Sequence, residues 1–526
     1  MCFFIKDIRK KINNKDIENS SNLNTDIDRN DSSMDAFNIN HKEIYNKNIK
    51  SKVLNNKNSK FMKINNLIKL GAFLLIIIIP VLFMNLKSDQ VSYIDNRSLM
   101  NFEDIFSNKD VFNNIKSYVD DRIGFRTEIV DIYAKVMDKA FNEITHPRYE
   151  YGKDGFIMSK AEENEFDPEF MEIYSDFIKD FQKYCNDRGI KFLYTVEPSK
   201  ETVYKEFLPD GYIYDNRSLD YFLSLLKVKD INYLNNKETL NNAKKNTQVF
   251  DIKYDAGHWN ETGAIIGISA MLDKLNELDN RVGNFDINRF EKEEYVNNTL
   301  PTSYFQINEQ TTHYNLYEDN SDYISDFENE IKRDENFRYF THYKNNKNID
   351  GPRILIFAGS YFNNKEKFIT ENFSEVMKIH NYRNVIDYEY YINIYNPDII
   401  LFESTEYTHK DYYFPLEEMK NKIHIKNIES YNELIQDNLV YIEDNNFSIS
   451  DNKLTNLSIP ISGDDILYAY ANIKGRILDC NISEVDNQKY VEFSIMTSEI
   501  KDLNEFDLYF ISKDEERYQK ISCRLG

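Results

Sequence analysis

What this chain lacks narrows its chemistry first. Only four cysteines, Cys2, Cys185, Cys480 and Cys523, are spread through 526 residues, and none stands at a metal-binding spacing from another. No Walker loop and no Gly-x-Gly-x-x-Gly string occurs, so nothing in the sequence asks for a nucleotide, a cofactor or a structural metal. Tryptophan is rarer still, with Trp259 the only one. Basic residues run short beyond residue 69: 51 Lys and Arg stand against 80 Asp and Glu, a balance of −29, which argues against a nucleic-acid partner. The length gives room for about two to four domains around a substantial core, unlike a small disulfide-stapled scaffold.

What is present begins with a tail. Residues 1–64 are rich in Asn, Asp, Ser and Lys with scattered apolar side chains, too few to offset chain entropy, and are expected to be disordered. Leu70 to Leu86 then run for 17 residues without a charge, near the minimum for crossing a bilayer core of roughly 30 Å. Eight lysines and one acid, Glu43, lie between residues 42 and 69, whereas acids dominate after Lys87. The positive-inside rule therefore predicts a cytoplasmic tail, a single transmembrane signal anchor over 65–87, and residues 88 onward outside the cell membrane. The long basic flank and the missing small-x-small site speak against a cleaved signal peptide.

From residue 88 to about 415 the apolar pattern switches between helix and strand. Phe170, Ile173, Phe177, Ile178 and Phe181 recur at helical spacing, Gly189 closes that helix, and the run 191–196 reads as a buried strand. The rhythm repeats with a helix over 219–226, an extended stretch over 231–234, a helix near 237–243 and a strand over 249–252. Residues 280–345 are polar, aromatic and poorly periodic, and are expected to form an insertion or lid. Strand-like runs return at 353–357 and 398–403, with a helix expected over 362–373. Such alternation predicts an α/β domain with a parallel sheet flanked by helices. Beyond about residue 420, short alternating segments without helices predict an antiparallel β-sandwich over 420–526. Cys480 and Cys523 both lie in it, where a disulfide and a pair of free or buried thiols are both open.

Two stretches carry chemistry. In Tyr254-Asp-Ala-Gly-His-Trp-Asn-Glu-Thr-Gly-Ala264, Asp255 and His258 stand three apart, which lets a carboxylate orient one imidazole nitrogen while the other faces a reacting group. The same string also fits a plain turn in which Asn260 caps the helix that follows. A second turn, Ala358-Gly359-Ser360-Tyr361, follows the strand 353–357 and holds a serine hydroxyl clear of the sheet, with backbone N–H groups at hand for an oxyanion. If both stretches leave parallel strands at their carboxyl ends, they meet at one edge, and Ser360 Oγ should reach His258 Nε2.

Taken together these pieces resemble the AlgJ/AlgX-like, DHHW-type branch of the SGNH hydrolase superfamily, whose studied members O-acetylate extracellular polysaccharides such as alginate. The resemblance covers roughly residues 90–407. Its carriers are Asp95-Asn-Arg97, Asp121-Arg-Ile-Gly-Phe-Arg126, Gly152-Lys-Asp-Gly-Phe156, Pro198-Ser-Lys200 with Tyr204 and Leu208-Pro209, Asp255 with His258-Trp259-Asn260, Gly359-Ser-Tyr361, and Asn396-Pro-Asp-Ile-Ile400 with Glu406. Acid and base precede the nucleophile, as in this permuted branch. Two departures are visible: relatives read Asp-x-His-Trp where this chain has two intervening residues, Ala256 and Gly257, and Glu406-Tyr407 stands where Glu-Arg is expected.

The resemblance implies a membrane-anchored, extracytoplasmic O-acetyltransferase that acts on a cell-surface polysaccharide without a bound cofactor. Ser360 would be the nucleophile, His258 the base and Asp255 its orienting acid, with Gly359, Tyr361, Trp259, Asn260 and Tyr407 at the oxyanion or substrate positions. A multi-spanning membrane partner would supply the acyl group, and the C-terminal module would hold the polymer. A carbohydrate O-acetylesterase with the same residues and a non-catalytic surface-polymer scaffold remain the alternatives.

Overall fold

The computed structural model describes residues 63–87, 91–92, 97–106, 110–146, 148–160, 166–301, 305–325, 328–422, 437–442, 453–461, 466–501, 503, 505–512 and 518–525. The expected tail lies outside them apart from its last two residues, as do Asp95 and Asn96. The described residues divide into two units between Asn85 and Leu86.

In the first unit α1 (Lys63–Leu82) is 20 residues long, about 30 Å at the usual helical rise, and its isoleucines Ile76 to Ile79 are exposed. It is long and apolar enough to cross a membrane. In the second unit, α2 (Val111–Arg122) and α3 (Arg126–Phe141) come first. The α/β layer follows, with α4 (Pro168–Asp187), α5 (Arg217–Val228), α6 (Glu261–Leu278) and α7 (Tyr388–Tyr395). Its strands are β1 (Lys191–Glu197), β2 (Tyr233–Asn235), β3 (Ser321–Tyr323), β4 (Phe340–Asn345), β5 (Arg353–Ala358), β6 (Glu375–His380) and β7 (Ile399–Thr405).

These strands form one seven-stranded sheet in the order β2-β1-β7-β5-β6-β4-β3. The five from β2 to β6 are parallel, while β4 and β3 extend the sheet antiparallel. The expected parallel sheet is thus extended: part of the polar 280–345 stretch is an antiparallel sheet edge, and another part is the hairpin Phe290–Thr299 with Gln306–Leu316. Strand pleating explains why the inner strands read as unbroken apolar runs. Phe192, Tyr194, Leu355, Phe357, Ile400 and Phe402 point into the core beneath α4, α5 and α7. Their neighbours Leu193, Ile354, Ile356, Ile399 and Leu401 point into a second core beneath α6. Both faces are covered, as parallel sheets require.

Asp167 caps α4 by accepting from the Phe170 N–H at 2.9 Å, with Pro168 in the first turn. Two expected elements differ. Residues 362–373 are a chain of 3-10 turns, because Asn364 adopts a left-handed conformation (φ 59°) that an α-helix cannot carry. Residues 249–252 join no ladder and form an irregular loop.

The C-terminal strands are β8 (Asp437–Ile442), β9 (Leu454–Ile461), β10 (Ile466–Ile473), β11 (Arg476–Val485), β12 (Gln488–Met496), β13 (Glu505–Ser512) and β14 (Tyr518–Leu525), in the sheet order β8-β14-β13-β10-β11-β12-β9. All pairs are antiparallel except β8 with β14. Phe493 on β12 and Phe506 on β13 lie three strand spacings apart along the sheet, about 14 Å if it were flat. Their rings are 5.8 Å apart, so the sheet curls around its own core. The antiparallel all-β module expected beyond residue 420 is present among the described residues, its two ladders meeting on β11, which pairs with β10 over 476–480 and with β12 over 481–485. Cys480 and Cys523 are buried free thiols. The curled sheet rests on the α/β layer through Asp479, which accepts from Arg188 Nη2 at 2.8 Å, and whose carbonyl accepts from Asn393 Nδ2 at 2.7 Å.

Candidate active site

Four parallel strands bring four loops to one edge. β1 leads into Pro198-Ser199, β5 into Gly359-Ser360, β6 into Asn381 and β7 into Glu406-Tyr407. Ligands of open α/β sheets bind at this carboxyl edge. Ser360 begins a single 3-10 turn, Ser360–Phe362. A side chain at position 359 would sit 3.3 Å from Tyr382 Oη and 3.4 Å from Asn381 Oδ1, a tight fit that glycine avoids.

His258 and Asp255 arrive on the irregular 249–260 loop, which side chains pin in place of a strand ladder. The Glu309 carboxylate, from the hairpin, accepts from the N–H groups of Ile252 at 2.7 Å, Lys253 at 2.8 Å and Tyr254 at 2.6 Å. The Ile252 carbonyl accepts from Ile157 N–H at 2.9 Å and from Lys200 Nζ at 3.0 Å. The far end is held by Asn260, whose N–H donates to Val249 O at 3.1 Å and whose side chain caps α6 by accepting from Gly263 N–H at 2.8 Å.

The two stretches meet in one hydrogen-bonded row. Ser360 Oγ lies 2.8 Å from His258 Nε2, and His258 Nδ1 lies 2.8 Å from Asp255 Oδ2. Asp255 Oδ1 accepts from the Gly257 N–H at 2.8 Å, so the two residues between acid and base fold into a turn on the acid itself. Serine and histidine are half-buried, open to a substrate at the edge. Burial raises the Asp255 carboxyl, but His258, the Gly257 N–H and Lys200 outweigh it and hold it below the usual carboxylate range. Burial lowers the His258 ring, and Asp255 outweighs it, leaving the ring above its ordinary 6.5. Such a row can deprotonate a serine hydroxyl and hold the resulting imidazolium.

Residues 151–343 match the family model described as the SGNH hydrolase-like domain of the acetyltransferase AlgX. Over those residues the chain is similar to an AlgX-type SGNH hydrolase-like domain. The match takes in Asp255 and His258 and ends before Ser360. No curated protein matches the chain. Among solved structures it is similar to Bacillus cereus PatB1, at 17% identity over 49% of this chain and 95% of that one, with a TM-score of 0.39. The O-acetyltransferase domain of Pseudomonas putida AlgJ gives 15% identity over 52% and 99%, with a TM-score of 0.36. Pseudomonas aeruginosa AlgX gives 12% over 71% and 90%, with a TM-score of 0.33.

The remaining expected site residues divide. Tyr407 belongs to the site: its hydroxyl lies 3.5 Å from Gly257 O and interacts with the Ser360 hydroxyl, and burial keeps the phenol protonated, a donor. Gly359 is corrected as an oxyanion donor, because its N–H is already given to Glu403 Oε2 at 2.7 Å. Among the described residues, the Ser360 and Tyr361 N–H groups donate to nothing. The side chains of Trp259, Asn260 and Tyr361 do not face the open edge. The Trp259 indole is buried and donates to Tyr361 O at 2.9 Å, fitting against α6 because Gly267 leaves room for its ring. Asn260 is the helix cap already described. The Tyr361 ring is buried, with its hydroxyl donating to Pro198 O at 3.0 Å.

Two residues without an expected role support the site. Glu403 is fully buried at the end of β7, and burial pushes its carboxyl up to about 7 against the opposing pull of Gly359 N–H, Thr405 and Lys378. Its only sequence signal was a carboxylate inside an apolar strand run. Lys200, from the Pro198-Ser-Lys200 string, is buried with its ammonium on the carbonyls of Ile157 and Ile252, and burial lowers it to about 8. Among the described residues no cluster of His, Cys, Asp and Glu could hold a metal ion.

Proposed function

We propose that this chain is a membrane-anchored, extracytoplasmic O-acetyltransferase that moves acetyl groups onto hydroxyls of a cell-surface polysaccharide through Ser360, His258 and Asp255. The observation that carries the reading is the Ser360–His258–Asp255 row, with both hydrogen bonds at 2.8 Å. Ser360 Oγ attacks the acetyl carbonyl carbon while its proton passes to His258 Nε2. The carbonyl oxygen becomes an oxyanion held by the Ser360 and Tyr361 N–H groups, each well-placed donor contributing about 3 kcal/mol. Collapse breaks the bond to the donor's oxygen, which takes the proton from His258, and leaves acetyl-Ser360. A glycan hydroxyl then attacks, giving its proton to His258, and the serine leaves with that proton.

Asp255 holds the imidazole and stabilises the imidazolium in both halves. The Tyr407 phenol lines the site beside the Ser360 hydroxyl and donates to Gly257 O. The anchor would be α1 with residues 1–64 inside, the acyl group would come from a multi-spanning membrane partner, and the C-terminal sheet would hold the polymer. The test is turnover of a chromogenic acetyl ester by the purified chain with and without glycan. Acetyl transfer to glycan faster than to water supports the transferase; hydrolysis that glycan leaves unchanged makes it an esterase, and no turnover in either case rejects catalysis.

A further inference from the structure

The first helix after the anchor is built inside out, and the second buries Met137 but leaves another apolar face exposed. In α2 the buried residues are the charged Asp121 and Arg122, while Phe112 and Ile115 are exposed at 80% and 46%. On α3, Ile129, Ile132 and Val136 recur at i, i+3 and i+7, one helix face, and all three are exposed. Just before α2, Phe102 and Phe106 pack edge to face at 6.1 Å with both rings exposed. Beyond Lys87, eight of the eighteen exposed large apolar side chains among the described residues fall between Phe102 and Val136. A patch this dense marks a surface that meets something apolar.

The buried charges show where this surface lies along the chain. Arg122 donates through Nη1 to the carbonyl of Lys87, through Nε to Met100 O at 2.7 Å and through Nη2 to Asn101 Oδ1 at 3.0 Å, while Asp121 Oδ2 accepts from Met100 N–H at 3.0 Å. Lys87 is the first charge after the uncharged run that ends at Leu86. In the anchor reading it marks the point where the chain leaves the bilayer, and Arg122 clamps α2 to that point.

We infer that the exposed face of α2 and α3 seats in a lipid surface, so that the chain holds the membrane by a span and by an interfacial pair of helices. The inference rests on the anchor proposed above. Lipid is the occupant the observations favour, because the span keeps every copy within reach of lipid at a high effective concentration. Phenylalanine and isoleucine on one face with charges on the others is also the composition of an interfacial helix. The seat would fix the carboxyl-edge site at a set height above the bilayer.

Because Trp259 is the only tryptophan and is buried, fluorescence can report the seat. The full chain would be reconstituted in vesicles of phosphatidylethanolamine and phosphatidylglycerol with brominated acyl chains. Three variants would be compared with the parent: Leu75→Trp in α1, Phe112→Trp on the patch and Val485→Trp on the exposed part of β11. Bromine quenching of about twofold or more for Leu75→Trp and Phe112→Trp, with none for Val485→Trp, is the expected result. Quenching of Leu75→Trp alone would overturn the seat and leave the anchor standing. No quenching of either would overturn both. A blue-shifted Phe112→Trp signal in native membranes, without quenching in pure lipid, would assign the patch to a protein partner and overturn the lipid seat.

Discussion

The two halves of the site reach the same precision by opposite means. Ser360 stands two residues beyond β5, a strand hydrogen-bonded on both sides within a close-packed sheet. His258 and Asp255 stand on a loop outside any ladder, held by the Glu309 carboxylate, Lys200 and the Asn260 cap. Backbone ladders average an error over many bonds, whereas a loop pinned by a few side chains stakes its geometry on each of them. Single substitutions should therefore disturb the histidine half more than the serine half.

The largest effect lies on the loop. Asp255→Asn should lower kcat by about 10⁴-fold, the size seen when an orienting aspartate is neutralised in a serine protease, with little loss of stability. Because Asp255 raises the His258 ring, the acid limb of kcat/KM should lie above pH 6.5 in the parent and move down in any residual activity of the variant. An activity loss below tenfold would pass the acid's role to another carboxylate.

The serine half should answer to pH through Glu403. Its carboxyl titrates near 7 in the folded chain and at about 4.5 when unfolded, so the folded state holds the extra proton between those values. Stability from this group is fully present below pH 4.5 and lost as pH rises through 7, a swing of about 3 kcal/mol. Glu403→Gln is neutral throughout and should lack that swing. Denaturation curves at pH 4.5 and 8 that shift equally for parent and variant would contradict it.

Glu309→Ala removes the acceptor of three loop N–H groups and should cost about 10²-fold in kcat, the scale of an ångström's misplacement. Its pH profile should be unchanged, since no titrating group of the row is removed. A variant with full activity would mean that the loop keeps its shape without its clamp, and the contrast between the halves would fail. The smallest effect is structural: Gly267→Ala puts a Cβ 2.4 Å from the Trp259 ring and should cost about 1–3 kcal/mol in chemical denaturation.

The same contrast separates what could be read from the sequence from what could not. Runs such as 353–357 and 398–403 are apolar on both faces and could be nothing but inner strands, which made the sheet and its carboxyl-edge turn readable. Residues 249–252 look equally strand-like, yet the Ile252 N–H goes to the Glu309 carboxylate 57 residues away and the Val249 N–H to the Tyr204 hydroxyl 45 residues away. No local pattern announces such a partner. Likewise the left-handed Asn364 breaks the helix expected over 362–373. Asp255 and His258 were readable because their chemistry sits within four residues. Glu403 was hidden because a buried acid and a strand-ending acid are written with the same letter.

The most direct test of the central claim is to catch the acyl-enzyme. The purified chain would be mixed with an activated acetyl ester in the absence of glycan, quenched within a single turnover and digested for mass spectrometry. One acetyl group should appear on the peptide containing Ser360, be absent from Ser360→Ala, and leave onto glycan when acceptor is added. Acetyl on another residue, or turnover that persists in Ser360→Ala, would contradict the account.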